Sequence, residues 1–103
     1  MGLTVRLEDE HGLEMAEALA DDGTLARLLP SFDDPSSALL RFIDRYGDTT
    51  FNRHQIPVFL DELSRFIHPR LRDQKERSFI ERLEKLARRC ASEPHLYLKF
   101  YGD

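Results

Sequence analysis

With 103 residues, 41% hydrophobic and 33% charged, the chain has material for one small folded domain, residues 1–103, and not for two. No apolar run approaches the roughly 20 residues a bilayer span requires, and MGLTVRLEDE lacks the basic and apolar regions of a signal peptide. The single cysteine, Cys90, cannot close an internal disulfide, which points to a reducing cytoplasm, and a net charge of −4 argues against the basic footprint of a general nucleic-acid binder.

The charge is unevenly spread. Residues 1–50 hold eleven Asp and Glu against four Arg, whereas residues 51–103 hold eight against eleven Lys and Arg. Two halves of opposite sign attract each other within one domain; a negative face also steers a basic partner protein. Twelve Arg against three Lys is the bias of a GC-rich genome, the basis for expecting a bacterial source.

Along the chain, LTVRLEDE alternates, with Leu3, Val5 and Leu7 on one face of a half-buried strand. A turn, Asp9-Glu10-His11-Gly12, follows. Residues 13–18 have helix propensity, but the first strand needs a partner, and the reading favours a return strand there. After Asp21-Asp22-Gly23, Thr24 is placed to cap a short helix whose Leu25, Leu28 and Leu29 share a face, and Pro30 stops it. PSFDDPSS then reads as a loop.

The stretch ALLRFIDRYGDTTFNRHQIPVFL admits two foldings. Residues 40–43 and 49–51 form the arms of a hairpin around Arg45-Tyr46-Gly47-Asp48, or residues 37–46 are helical, since Leu39, Phe42, Ile43 and Tyr46 also fit that period. The hairpin is preferred. Asn52 and Gln55 stand three apart as a capping box for a helix over about 57–67. The strongest periodicity, Phe79, Ile80, Leu83, Leu86, Ala87 and Cys90, predicts a helix over 73–91, with Asp73–Arg77, Glu81–Lys85 and Glu84–Arg88 spaced for ion pairs. HLYLKFY alternates, turning Leu96, Leu98 and Phe100 inward and Tyr97 and Tyr101 outward. The expected fold is α+β: a two-layer domain with an antiparallel or mixed sheet, both terminal strands in it, and the two main helices on one face.

Candidate chemistry is sparse. Residues 44–55 resemble an EF-hand loop, with Asp44, Asp48 and Asn52 as calcium ligands. Tyr46, Thr49 and Gln55 replace the third ligand, the turn glycine and the bidentate glutamate, so a degenerate calcium-responsive module is only an alternative, and no metal or cofactor is expected. His11, His54, His68 and His95 form no metal-binding pair, Cys90 lies on an apolar helix stripe, and no nucleophile elbow, P-loop or dinucleotide fingerprint occurs. A small enzyme whose site only folding assembles is a further alternative. The favoured surface is aromatic and charged: Asp44, Arg45, Tyr46, Asp48 and Arg53 around the turn, and Tyr97 and Tyr101 on the last strand.

LRFIDRYGDTTFN, the charged helix and the closing EPHLYLKFYGD together resemble small uncharacterised bacterial proteins, similar in length and acidity to the immunity proteins encoded beside toxins. That resemblance implies a non-enzymatic, partner-binding role; composition and charge separately argue against a membrane or nucleic acid as the partner. It carries no specific binding residue over to this chain.

Overall fold

The computed structural model describes residues 2–102. Its strands are β1 (Thr4–Asp9), β2 (Leu19–Ala20), β3 (Asp48–Asn52) and β4 (Leu96–Tyr101), and its helices α1 (Thr24–Leu28), α2 (Ile56–Glu62) and α3 (Gln74–Ser92). The strands form one antiparallel sheet in the order β2-β1-β4-β3. β4 is therefore central, with Val5 and Thr49 both opposite Phe100. The alternation read from β1 and β4 holds: Val5, Leu7, Leu96, Leu98 and Phe100 are buried on the helix side. The fold is α+β, with both outermost strands of the sequence in the sheet.

One buried cluster joins the layers. Phe51, Phe59 and Phe100 meet pairwise at centroid distances of 5.7 Å, tying β3, α2 and β4 together. Phe59, Leu63 and Ile67 continue that face along the second helical region, and Phe79, Ile80, Leu83, Ala87 and Cys90 do so along α3. Asp73 caps α3 by accepting the Glu76 N–H at 2.9 Å. Its carboxylate is thereby used in capping. Glu84 turns instead to His68 (2.8 Å), so neither acid makes the ion pair that its spacing allows.

Three local expectations are corrected. Residues 13–18 form neither a strand nor a helix. Glu14 bridges Glu8 and Leu19 pairs with Val5, so four residues of the returning chain stand against two of β1. The surplus bulges out through a Met-Ala-Glu-Ala sequence of low β-propensity, and Leu13, at the turn before it, is exposed. Thr24 does not cap α1: the Asp21 carboxylate accepts the Leu25 and Ala26 N–H groups, while Gly23, at φ +104°, makes the turn that allows it.

The third correction is in the central stretch. Residues 40–43 are not a hairpin arm, and 37–46 are not a helix. A single 3-10 turn, Leu40–Phe42, stands there. Its cause lies beyond it in sequence. The buried Glu62 carboxylate accepts the N–H groups of Ala38 (2.9 Å), Leu39 (2.7 Å) and Leu40 (3.2 Å) and the Ser37 hydroxyl. Three successive N–H groups converging on one carboxylate form an anion nest, which the alternating backbone of a strand cannot make. Leu40 and Ile43 become the buried pair, at the spacing of three that this turn favours.

The Asn52–Gln55 box forms as read. The Asn52 N–H reaches the Gln55 side chain (2.9 Å), and the Gln55 N–H reaches Asn52 Oδ1 (3.2 Å). α2 starts one turn later, so Pro57 falls in its opening turn, where no N–H is required. The helix read over 57–67 is α-helical only to Glu62. It continues as a π-type turn, Leu63–Ile67, and a 3-10 turn, His68–Arg70.

Candidate interaction surface

The segment between α1 and β3 is built from turns, and its side chains are held from several directions. Asp44 Oδ1 accepts the Tyr46 N–H (2.8 Å), closing a local turn, and the Asp44 N–H donates to Thr49 Oγ1 (3.0 Å). Arg45 reaches back to α1, giving two hydrogen bonds to the Ala26 carbonyl (2.7 and 3.2 Å). The Gly102 N–H closes on the Gly47 carbonyl at 2.8 Å. Gly102 must be glycine, because a Cβ there would lie 2.3 Å from the Arg45 carbonyl oxygen.

What this scaffold holds outward is aromatic. Phe32, Phe42 and Tyr46 are 69%, 48% and 79% exposed. Phe32 and Phe42 meet edge to face at 6.0 Å, and the Arg41 guanidinium lies 4.5 Å over the Phe42 ring. Pro30, Arg41, Phe42 and Tyr46 line the same open hollow of about 310 Å³. Arg41 Nε is buried there without a hydrogen-bond partner among the described residues. Asp33, Asp34, Asp44 and Asp48 are carried on the same loops and turn. Asp34 is held below the usual carboxylate range by the Ser36 hydroxyl and N–H. The Asp34 carboxylate is therefore favoured in its charged form near the aromatic rings.

The seven residues selected from sequence fall into two groups. Asp44, Arg45, Tyr46, Asp48 and Tyr101 gather at one end of β3, where Asp48 pairs with Tyr101. Arg53 and Tyr97 lie at the other end, lining a hollow with His54 and His95. Five residues of strand, about 16 Å, separate them. The same distance argument removes the calcium arrangement. Asp48 and Asn52 stand about 13 Å apart at the two ends of a strand, too far to share one ion. Asp44 and Asn52 already accept backbone N–H groups, and no group of three or more His, Cys, Asp and Glu gathers for a metal among the described residues.

Tyr101 faces outward but is not free. Its hydroxyl donates to Glu8, and the Arg6 guanidinium lies 5.2 Å over its ring. Lys99 Nζ is 3.2 Å from the same Glu8. Burial, then the hydrogen bond to the Glu8 carboxylate, pushes the Tyr101 phenol up to about 12. Arg6, Glu8, Lys99 and Tyr101 thus form one polar network on the outer face of the sheet. Burial likewise pushes the Cys90 thiol up to about 11, which fits a core side chain and not a nucleophile.

A second polar hollow, about 330 Å³, lies where α1 meets the start of α3. Glu76 there is gripped by Arg72, through its N–H (2.8 Å) and guanidinium, and by Arg27. These hydrogen bonds hold its carboxyl well below the usual range, at about 2. Lys75 pairs with Asp22 at 3.8 Å. This pair and that of Lys99 with Glu8 join the second half of the chain to the first. The charged groups in this hollow face one another.

The sequence reading missed Phe32, Phe42 and Arg41. The available signal was Phe32 itself, one large aromatic among Pro, Ser and Asp with no apolar neighbour to pack on. Phe42 was hidden by both alternative foldings, since one placed it within a strand arm and the other counted it in a helical apolar period. Among the described residues, no helix is long and apolar enough to cross a membrane. Comparison with protein-family models, curated proteins and solved structures finds no match to this chain.

Proposed function

We propose that this chain is a non-enzymatic, cytoplasmic protein-interaction domain of the immunity type, an inhibitor that occludes a basic surface on a toxin. One observation carries the reading. Phe32, Phe42 and Tyr46 are exposed together on turns that Glu62 and Arg45 pin from behind. Exposed aromatics on a pre-organised scaffold bury large area at low entropic cost, and Tyr and Arg are favoured anchors. Four aspartates on the same segments supply the sign that attracts basic residues. The sole cysteine, buried and unpaired, suits a reducing compartment.

Co-expression with the product of an adjacent gene tests the proposal. A stable complex that blocks that product's activity is expected. The double variant Phe42→Ala/Tyr46→Ala should melt as the parent does and weaken the complex at least tenfold, since each anchor is worth 1 kcal/mol or more. No complex and no inhibition would remove the proposal; an unaffected double variant would move the contact away from this patch.

A further inference from the structure

The bulge at residues 15–18 has a counterpart across from it. Ala16 and Leu19 on the returning chain and Leu86 on α3 floor an open groove of about 540 Å³, the largest of the hollows described. Arg82, Lys85 and Arg89 rise along its α3 wall, against one carboxylate, Glu17. Arg82 and Lys85, both exposed, make no ion pair among the described residues, as is also true of Arg77 and Arg88, whereas Lys75 and Arg89 do. Arg89 is anchored, giving one hydrogen bond to the Met15 carbonyl (2.8 Å) and one to Glu93 (3.0 Å). β2 is the outermost strand of the sheet, so its far edge has no strand beside it, and residues 16–18 belong to no strand at all.

We propose that this groove binds an extended acidic peptide segment of a partner protein, added along the β2 edge, with apolar side chains on the Ala16–Leu19–Leu86 floor and carboxylates at Arg82 and Lys85. An open strand edge supplies main-chain hydrogen bonds, and alternate side chains of an added strand point to one face, which gives the pattern its specificity. Three cations against one acid set the sign of the ligand. The site lies on α3 and β2, away from the aromatic patch, and does not depend on the function proposed above.

The probe is a labelled peptide of about eight residues alternating Glu and Val, titrated into the full chain with amide NMR and fluorescence anisotropy as readouts. Saturable binding is expected, with shifts confined to residues 15–20 and 82–89. The double variant Arg82→Glu/Lys85→Glu should lose at least about tenfold in affinity for this peptide and gain affinity for one alternating Lys and Val. Both side chains are exposed, so the fold should persist; Arg82→Gln/Lys85→Gln serves if it does not, and should also lose affinity. Phe42→Ala/Tyr46→Ala should bind the acidic peptide unchanged. Absence of binding at about 1 mM peptide overturns the proposal, as does equal affinity of the wild type and the charge-swapped variants. Tighter binding of a single-stranded oligonucleotide or of anionic vesicles at the same residues would also overturn it, since the groove would then read charge and not an added strand.

Discussion

Helix α3 carries its instructions within its own 19 residues and the one that precedes them. Asp73 caps it, its apolar residues recur at the helical period, and Arg89 sits in the last turn, where a cation suits the helix dipole. The segment from Ser37 to Phe42 is the opposite. Its own residues permit a strand or a helix, and the carboxylate of Glu62 imposes a third conformation. One region is stabilised by local agreement between propensity, cap and pattern. The other has no strong local preference and takes its shape from a single buried anion. A region of the second kind can project aromatic residues outward, because its backbone is satisfied from within and its side chains are not needed to define it.

This contrast can be broken by mutation. The largest effect belongs to the core beneath α3. Leu83→Ala should cost about 4 kcal/mol in urea denaturation, and hydrogen exchange should quicken across the whole domain. Glu62→Gln should cost about 3 kcal/mol, since an amide sets N–H donors against the donors of residues 38–40. Its exchange pattern should differ in kind, with amides 38–42 opening while α3 stays protected. If amides 38–42 keep their protection in this variant, the carboxylate is not what folds the segment.

A milder test uses acid. Glu76 has its folded pKa depressed to about 2 from an ordinary 4.5, so its bonds to Arg72 and Arg27 contribute stability that is complete above about pH 4.5 and lost as the pH falls towards 2. Thermal melts across that window should fall less steeply for Glu76→Gln than for the parent. The effect should sit at the junction of α1 and α3 and leave amides 38–42 no worse protected than the rest.

What was legible in the sequence follows the same division. β1, β4 and α3 could be read because period 2 and period 3.6 are written in adjacent residues. The Asn52–Gln55 box could be read because both partners lie within one turn. The return strand at 13–18 failed on a count: nothing local reveals that four residues will stand opposite two. The hairpin arm at 40–43 failed because Glu62 looks, in sequence, like one more acid near the end of an amphipathic helix. Its burial is visible only once α2 is docked on the sheet. The exposure of Phe42 was missed for the same reason. Of the residues selected for contact, Tyr46 was the easiest to place, since a turn tip projects its side chain whatever precedes it.

The central place of β4 has a kinetic consequence. Thr4 and Tyr101 are paired, so joining β1 to β4 closes a loop of nearly the whole chain, and β3 has no strand partner except β4. The entropy of that closure must be met before the sheet returns any of it, which makes the assembly of the sheet the slow event and the helices the fast ones. A polypeptide interrupted before Leu96 would leave two strands, β1 and β3, each with an open edge where β4 belongs. Such a fragment is primed to pair with its neighbours in solution, so proteolytic or translational truncation of this protein should produce aggregates and not a smaller soluble domain.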